Sequence, residues 1–142
     1  MKTKVCWVGV LAACAACAEA PSPTRADTEE EGKAIVAARG CASCHEASLS
    51  GDAKPRPGTH AYAANLTPDE ETGLGAWTDD AIARAIRAGI DDQGASLCAP
   101  MPRFWDLSDA DVDAVVAYLR SLSPVKKAIP TSRCEGEPTG PS

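Results

Sequence analysis

The sequence predicts an all-α domain of about four short helices, separated by long loops and followed by an irregular C-terminal tail. Three observations support this. Where apolar residues recur regularly they do so at helical spacing, as in Val112, Val115, Val116 and Leu119. Helix-start signatures precede three such stretches, at Thr28, Thr78 and Ser108. Between them lie loops rich in glycine, proline and charge, and no stretch reads as a strand.

The chain opens with a targeting segment rather than with the fold. Lys2 and Lys4 give a positive start, and Val5 to Ala13 form an apolar run of nine residues, too short to span a bilayer as a helix. Leu11-Ala12-Ala13-Cys14 resembles the lipobox of bacterial lipoproteins, in which the cysteine becomes the lipidated first residue. Cleavage after Ala16-Cys17-Ala18 or Ala18-Glu19-Ala20 is the competing reading, with Pro21 counting against the latter. Either route exports the chain. Residues 1–13 are thus read as a signal peptide of lipoprotein type and 14–27 as a lipidated Cys14 with a flexible linker. Residues 28–124 are read as one domain, and 125–142 as a tail pinned by Cys134. The net charge of −6 becomes −8 without Lys2 and Lys4. Such an acidic chain has no run of Lys or Arg for nucleic acid.

Within the domain, Thr28-Glu29-Glu30-Glu31 matches a capping box, Ala34, Ile35 and Ala38 share a face, and Gly40 stops the helix. Gly32 inside it costs about 1 kcal/mol relative to Ala, which a close helix crossing would explain. Thr67-Pro68-Asp69-Glu70 reads as a second helical start or a turn. Trp77-Thr78-Asp79-Asp80 caps a helix whose face is Ile82, Ala85 and Ile86 and whose stop is Gly89. The last helix starts at Ser108, with Asp111 completing the box, and runs to about Ser121 before Pro124.

Cys41-Ala42-Ser43-Cys44-His45 carries the chemistry. It is Cys-x-x-Cys-His, the attachment signature of a c-type haem. Two thiols three positions apart on one helical turn can each add across a vinyl group of one porphyrin, and the next histidine can ligate the iron from below. The chain has only six aromatic residues, and a porphyrin would fill the apolar core they leave thin. The second axial ligand points to Gly94–Trp105. Met101 is the only methionine besides Met1, and it stands between Pro100 and Pro102. Iron–thioether bonds are weak, so the loop must hold the sulfur, and flanking prolines lower the entropy lost in doing so. A slot with His45 and Met101 on opposite walls is therefore expected. His60, the only other histidine, is the rival sixth ligand.

Cys6, Cys14 and Cys17 lie in or near the signal and Cys41 and Cys44 in the haem motif, which leaves Cys98 and Cys134. In an exported protein this pair suggests a disulfide, though two unpaired thiols is the open alternative. Closing roughly 37 residues would contribute about 4 kcal/mol on chain-entropy grounds.

An N-terminal helix leading into Cys41-x-x-Cys44-His45, a Met-Pro loop, and a C-terminal helix ending Ala117-Tyr118-Leu119-Arg120-Ser121-Leu122 resemble the small monohaem c-type cytochromes with the mitochondrial-cytochrome-like fold. The resemblance covers about residues 28–124. Asn65-Leu66-Thr67-Pro68-Asp69 and Thr72-Gly73-Leu74-Gly75-Ala76-Trp77 are similar to a bacterial subgroup that serves periplasmic dehydrogenases, many of whose members carry three haems where this chain has one motif. The resemblance implies a small cytochrome c fold around one covalent haem c, with Cys41 and Cys44 as thioethers and His45 and Met101 as axial ligands. It implies Gly32 packed near Tyr118, and Trp77 donating to a haem propionate. Arg39, Arg56 and Arg103 are further candidates for propionate contacts.

The implied function is one-electron transport, without catalysis of its own, on the periplasmic side of a bacterial membrane. Its partners would be a dehydrogenase, a quinol-oxidising complex or a terminal oxidase, with the membrane reached through the N-terminal lipid. A haem c peroxidase or ligand sensor is the alternative and needs an open iron position. A thiol–disulfide oxidoreductase using Cys41 and Cys44 would belong near a βαβ pattern, and a zinc module recruiting Cys98 and Cys134 lacks a matching spacing.

Overall fold

A computed structural model describes residues 22–134. The signal peptide, Cys14 and Cys17 lie outside the described residues, as does the tail beyond Cys134. Four helices follow in order: α1 (Arg25–Ala38), α2 (Ala42–His45), α3 (Asp79–Ala88) and α4 (Asp109–Ser121). Among the described residues only isolated β-bridges occur, and the fold is all-α as expected.

Helix α1 starts a turn earlier than the sequence suggests. Thr24 is the cap: its Oγ1 accepts from the Asp27 amide at 3.3 Å, and Asp27 accepts from the Thr24 amide at 3.0 Å. Thr28 lies inside the helix and donates its hydroxyl to the Thr24 carbonyl. Both threonines satisfy the capping pattern. The box forms at the earlier one, and Arg25 and Glu29 add an i,i+4 ion pair along the extra turn. The linker therefore gives way to helix before residue 28. The Thr67–Glu70 segment is a turn and not a helix, with Asp69 Oδ1 accepting from both the amide and hydroxyl of Thr72. The fourth helix is instead the haem motif itself.

The core forms where α1 crosses α4. Val36, Ile82, Leu107, Val112, Val115, Val116 and Leu119 are buried together with Leu49 and Leu74, each such side chain contributing roughly 1.5–3 kcal/mol on burial. Gly32 is at the crossing. A Cβ there would run into the carbonyl of Ala114 and stand 2.9 Å from Tyr118 Cβ. The backbones approach so closely that only glycine fits, which accounts for its place inside a helix. Ser108 and Asp111 cap α4 reciprocally, and Thr78 caps α3.

The tail as far as Cys134 has no regular element, yet it is held along its length. Asn65 Nδ2 donates to the Val125 carbonyl (2.7 Å), and Thr67 Oγ1 and Thr72 Oγ1 accept from the amides of Val125 and Lys127. Lys127 Nζ reaches Glu46 and the Gly51 carbonyl. Ser132 and Arg133 bond the backbone of Tyr62 and His60. A disulfide then joins Cys134 to Cys98 (Cα–Cα 4.9 Å). The strap thus ties the loop after His45 to the loop that carries Met101.

Candidate haem site

Helix α1 delivers the motif directly. Gly40, in the left-handed region at φ 69°, reverses the chain at the end of α1. The amides of Cys44 and His45 both donate to the Cys41 carbonyl (3.2 and 3.0 Å), so the two thiols and the imidazole share one helical turn. Cys41 and Cys44 are free thiols, each half-buried. Burial pushes the Cys41 thiol up, the opposite of what a nucleophilic redox cysteine needs.

His45 is 7% exposed. Its Nδ1 donates to the Ala64 carbonyl at 2.7 Å, because a carbonyl can only accept. In the neutral ring this places the lone pair on Nε2. Burial, with the Arg56 charge adding to it, holds the imidazole below its usual pKa and so neutral, as a metal ligand must be; the Ala64 bond opposes this. Beyond His45 the chain turns sharply. Glu46 has φ 63° and ψ 164°, a strained region for any residue but glycine, and the Gly51 amide returns to the His45 carbonyl at 3.1 Å.

Met101 lies at the edge of a cavity of about 980 Å³. Its walls are the Ala95–Arg103 loop on one side, Thr59 and Ala61 on another, and Arg133 and Cys134 of the strap. His45, Cys41 and Cys44 are not among its lining residues, so it does not outline a slot between His45 and Met101. His60 faces a separate cavity of about 320 Å³ with Tyr62 and Arg133.

Trp77 packs against the core, and Arg120 fixes its backbone by donating to its carbonyl and to that of Leu74. Its indole N–H has no hydrogen-bond partner among the described residues. The arginines divide. Arg39 pairs with Asp106 at 2.7 Å and sits over the Phe104 ring. Arg103 spends its guanidinium on the carbonyls of Met101 and Leu97. Arg56 alone of the three has neither an ion pair nor a side-chain hydrogen bond among the described residues, and its charge is felt at His45. The sequence reading missed the Ala64 carbonyl and the strap; main-chain acceptors and long-range polar contacts leave no residue pattern to find.

Three helices around a helical Cys-x-x-Cys-His turn, with a methionine loop beyond, define a c-type cytochrome. Residues 29–123 match the family model for cytochrome c, and the chain belongs to that family. Family membership implies a covalent haem c, and the chain is an electron carrier. It is 39% identical over 111 residues to a subunit of the nicotinate dehydrogenase of Pseudomonas putida, a match covering 73% of this chain and 9% of that protein. It is 30% identical over 107 residues to the gluconate 2-dehydrogenase cytochrome c subunit of Pantoea cypripedii (70% and 24%). It is 34% identical over 106 residues to the cytochrome c subunit of the quinone alcohol dehydrogenase of Gluconobacter oxydans (68% and 22%). The chain thus spans a quarter or less of these relatives' lengths.

The donor set fits a haem. Two unpaired thiols and a neutral imidazole with Nε2 available share one turn. The disulfide withdraws Cys98 and Cys134 from any zinc site.

Proposed function

We propose that this chain is a monohaem one-electron carrier of the bacterial cell envelope, serving a dehydrogenase or quinol-oxidising complex and passing electrons to a terminal acceptor. Cys41 and Cys44 would hold the haem as thioethers, and His45 and Met101 would ligate its iron. When bound, the haem would supply a ferric/ferrous couple, whose potential an imidazole and a thioether ligand together would raise. Trp77, through its uncommitted indole N–H, and Arg56 are the groups for the propionates. The Cys98–Cys134 bridge and the strap steady the Met101 loop. The signal and Cys14 support a lipid anchor on the periplasmic side of the membrane; among the described residues no helix is long and apolar enough to cross one.

The observation that carries this reading is the His45–Ala64 hydrogen bond, which presents Nε2 as a ligand. The dehydrogenase partner is supported by the relatives, each of which belongs to such an enzyme by name. Haem staining of a denaturing gel tests the attachment: wild type stains, and Cys41→Ala/Cys44→Ala does not. Persistent stain in the double variant would contradict it. Co-purification with a dehydrogenase tests the partner.

A further inference from the structure

The Met101 loop has little backbone bonding of its own. Pro100 and Pro102 carry no N–H, and the amide of Met101 donates to the Cys98 carbonyl at 3.0 Å. The other side of the residue is fixed by a side chain. Arg103 Nη1 donates to the Met101 carbonyl and Nη2 to the Leu97 carbonyl, both at 2.8 Å. One planar cation therefore joins two carbonyls four residues apart, on either side of the Cys98–Pro100 turn.

That guanidinium also has a fixed seat. It lies against Gly89, the left-handed cap of α3 at φ 66°, so closely that a Cβ there would collide with it. The Leu97 amide returns to the Gly89 carbonyl at 2.7 Å, and the Phe104 amide to that of Ile86 at 3.0 Å. Both ends of the loop are thus stitched to the end of α3, and Arg103 fills the space between the stitches. The residue is half-buried, and no carboxylate pairs with it among the described residues. Its charge is spent on two main-chain oxygens, where such bonds are stronger than neutral ones.

We propose that Arg103 is the positioning residue for Met101. By fixing the peptide units after Met101 and after Leu97, it sets the point from which the thioether departs, and so how readily another ligand displaces it. The inference rests on Met101 being the axial ligand. Lysine keeps the charge but presents a compact ammonium rather than a planar fork, so charge and geometry are separable.

The test uses the haem-loaded protein as wild type, Arg103→Gln, Arg103→Lys and Met101→Ala. Imidazole is titrated into the ferric form, and the weak long-wavelength band of thioether-bound ferric iron is followed. Arg103→Gln is expected to bind imidazole about tenfold more tightly, the scale of losing a charge-assisted hydrogen bond. Arg103→Lys is expected to resemble the glutamine variant, and both to keep the wild-type far-ultraviolet circular dichroism. If Arg103→Lys matches wild type, charge alone matters and the positioning role is overturned. It is equally overturned if both variants titrate like wild type. Should Arg103→Gln fail to fold, Arg103→Lys decides by the same criterion. A wild type that lacks the band, or a Met101→Ala that keeps it, would instead overturn the ligation reading beneath.

Discussion

His45 Nδ1 donates to the carbonyl of Ala64 across 2.7 Å, joining the haem turn to a loop 19 residues further on. The bond orients the imidazole and selects its tautomer, which an isolated Cys-x-x-Cys-His segment cannot do. The Nδ1 proton of the buried ring should therefore exchange slowly with solvent in the haem-loaded protein. Proton NMR in deuterium oxide would show its resonance persisting well after exposed loop amides have exchanged. Loss within the dead time would mean that the ring is not held.

The contact of Gly32 with Ala114 makes the helix crossing intolerant of any side chain. Gly32→Val should destabilise the protein by about 3 kcal/mol or more, at or above the usual range for overpacking, because the obstacle is backbone. Urea unfolding followed by circular dichroism measures it. A change within about 0.5 kcal/mol, the scale of an ordinary surface substitution, would show that the helices can part without cost.

Replacing Cys98 and Cys134 together by serine opens the link between the strap and the Met101 loop. The melting temperature should fall, by an amount corresponding to at most about 4 kcal/mol. Neither cysteine belongs to the core where α1 crosses α4, so the helical circular dichroism at room temperature should be retained. An unchanged melting temperature would show that the strap's hydrogen bonds suffice alone.

Acid should loosen the caps first. Hydrogen bonds from Thr24, Thr72 and Ser108 hold the carboxyls of Asp27, Asp69 and Asp111 below their usual range. A carboxyl depressed in the folded state adds stability that is complete above its unfolded pKa, about 4, and is lost as pH falls through the lower folded value. All three carboxyls lie at the surface, so each effect is small and weakened by salt. The contribution of these three carboxyls should therefore be level above about pH 5 and decline below about pH 4, and Asp69→Asn/Asp111→Asn should flatten that part of the acid decline. An equal decline in the double variant would assign it to other groups.

What was legible in the sequence was what local rules govern. The haem turn, the caps at Thr78 and Ser108 and the stop at Gly89 each depend on neighbours within four residues. Gly32 was legible as an anomaly whose explanation required a partner helix. The strap was not legible, because Asn65 and Thr72 bond Val125 and Lys127 across separations of 60 and 55 residues, and nothing in Val125–Cys134 advertises the match. Thr24 and Thr28 both satisfy the capping pattern, and local pattern alone does not choose between them; the box forms at Thr24. Nor does the sequence reveal that Asp106 holds Arg39 and that two loop carbonyls hold Arg103.

In the proposed site, His45 and Met101 would both ligate one iron. The most direct test is the optical spectrum of the ferric protein, wild type against Met101→Ala. The account predicts a weak long-wavelength thioether band in the wild type that vanishes in the variant, together with rapid carbon monoxide binding gained by the reduced variant alone. A wild type without the band, or one that binds carbon monoxide as readily as the variant, would contradict it.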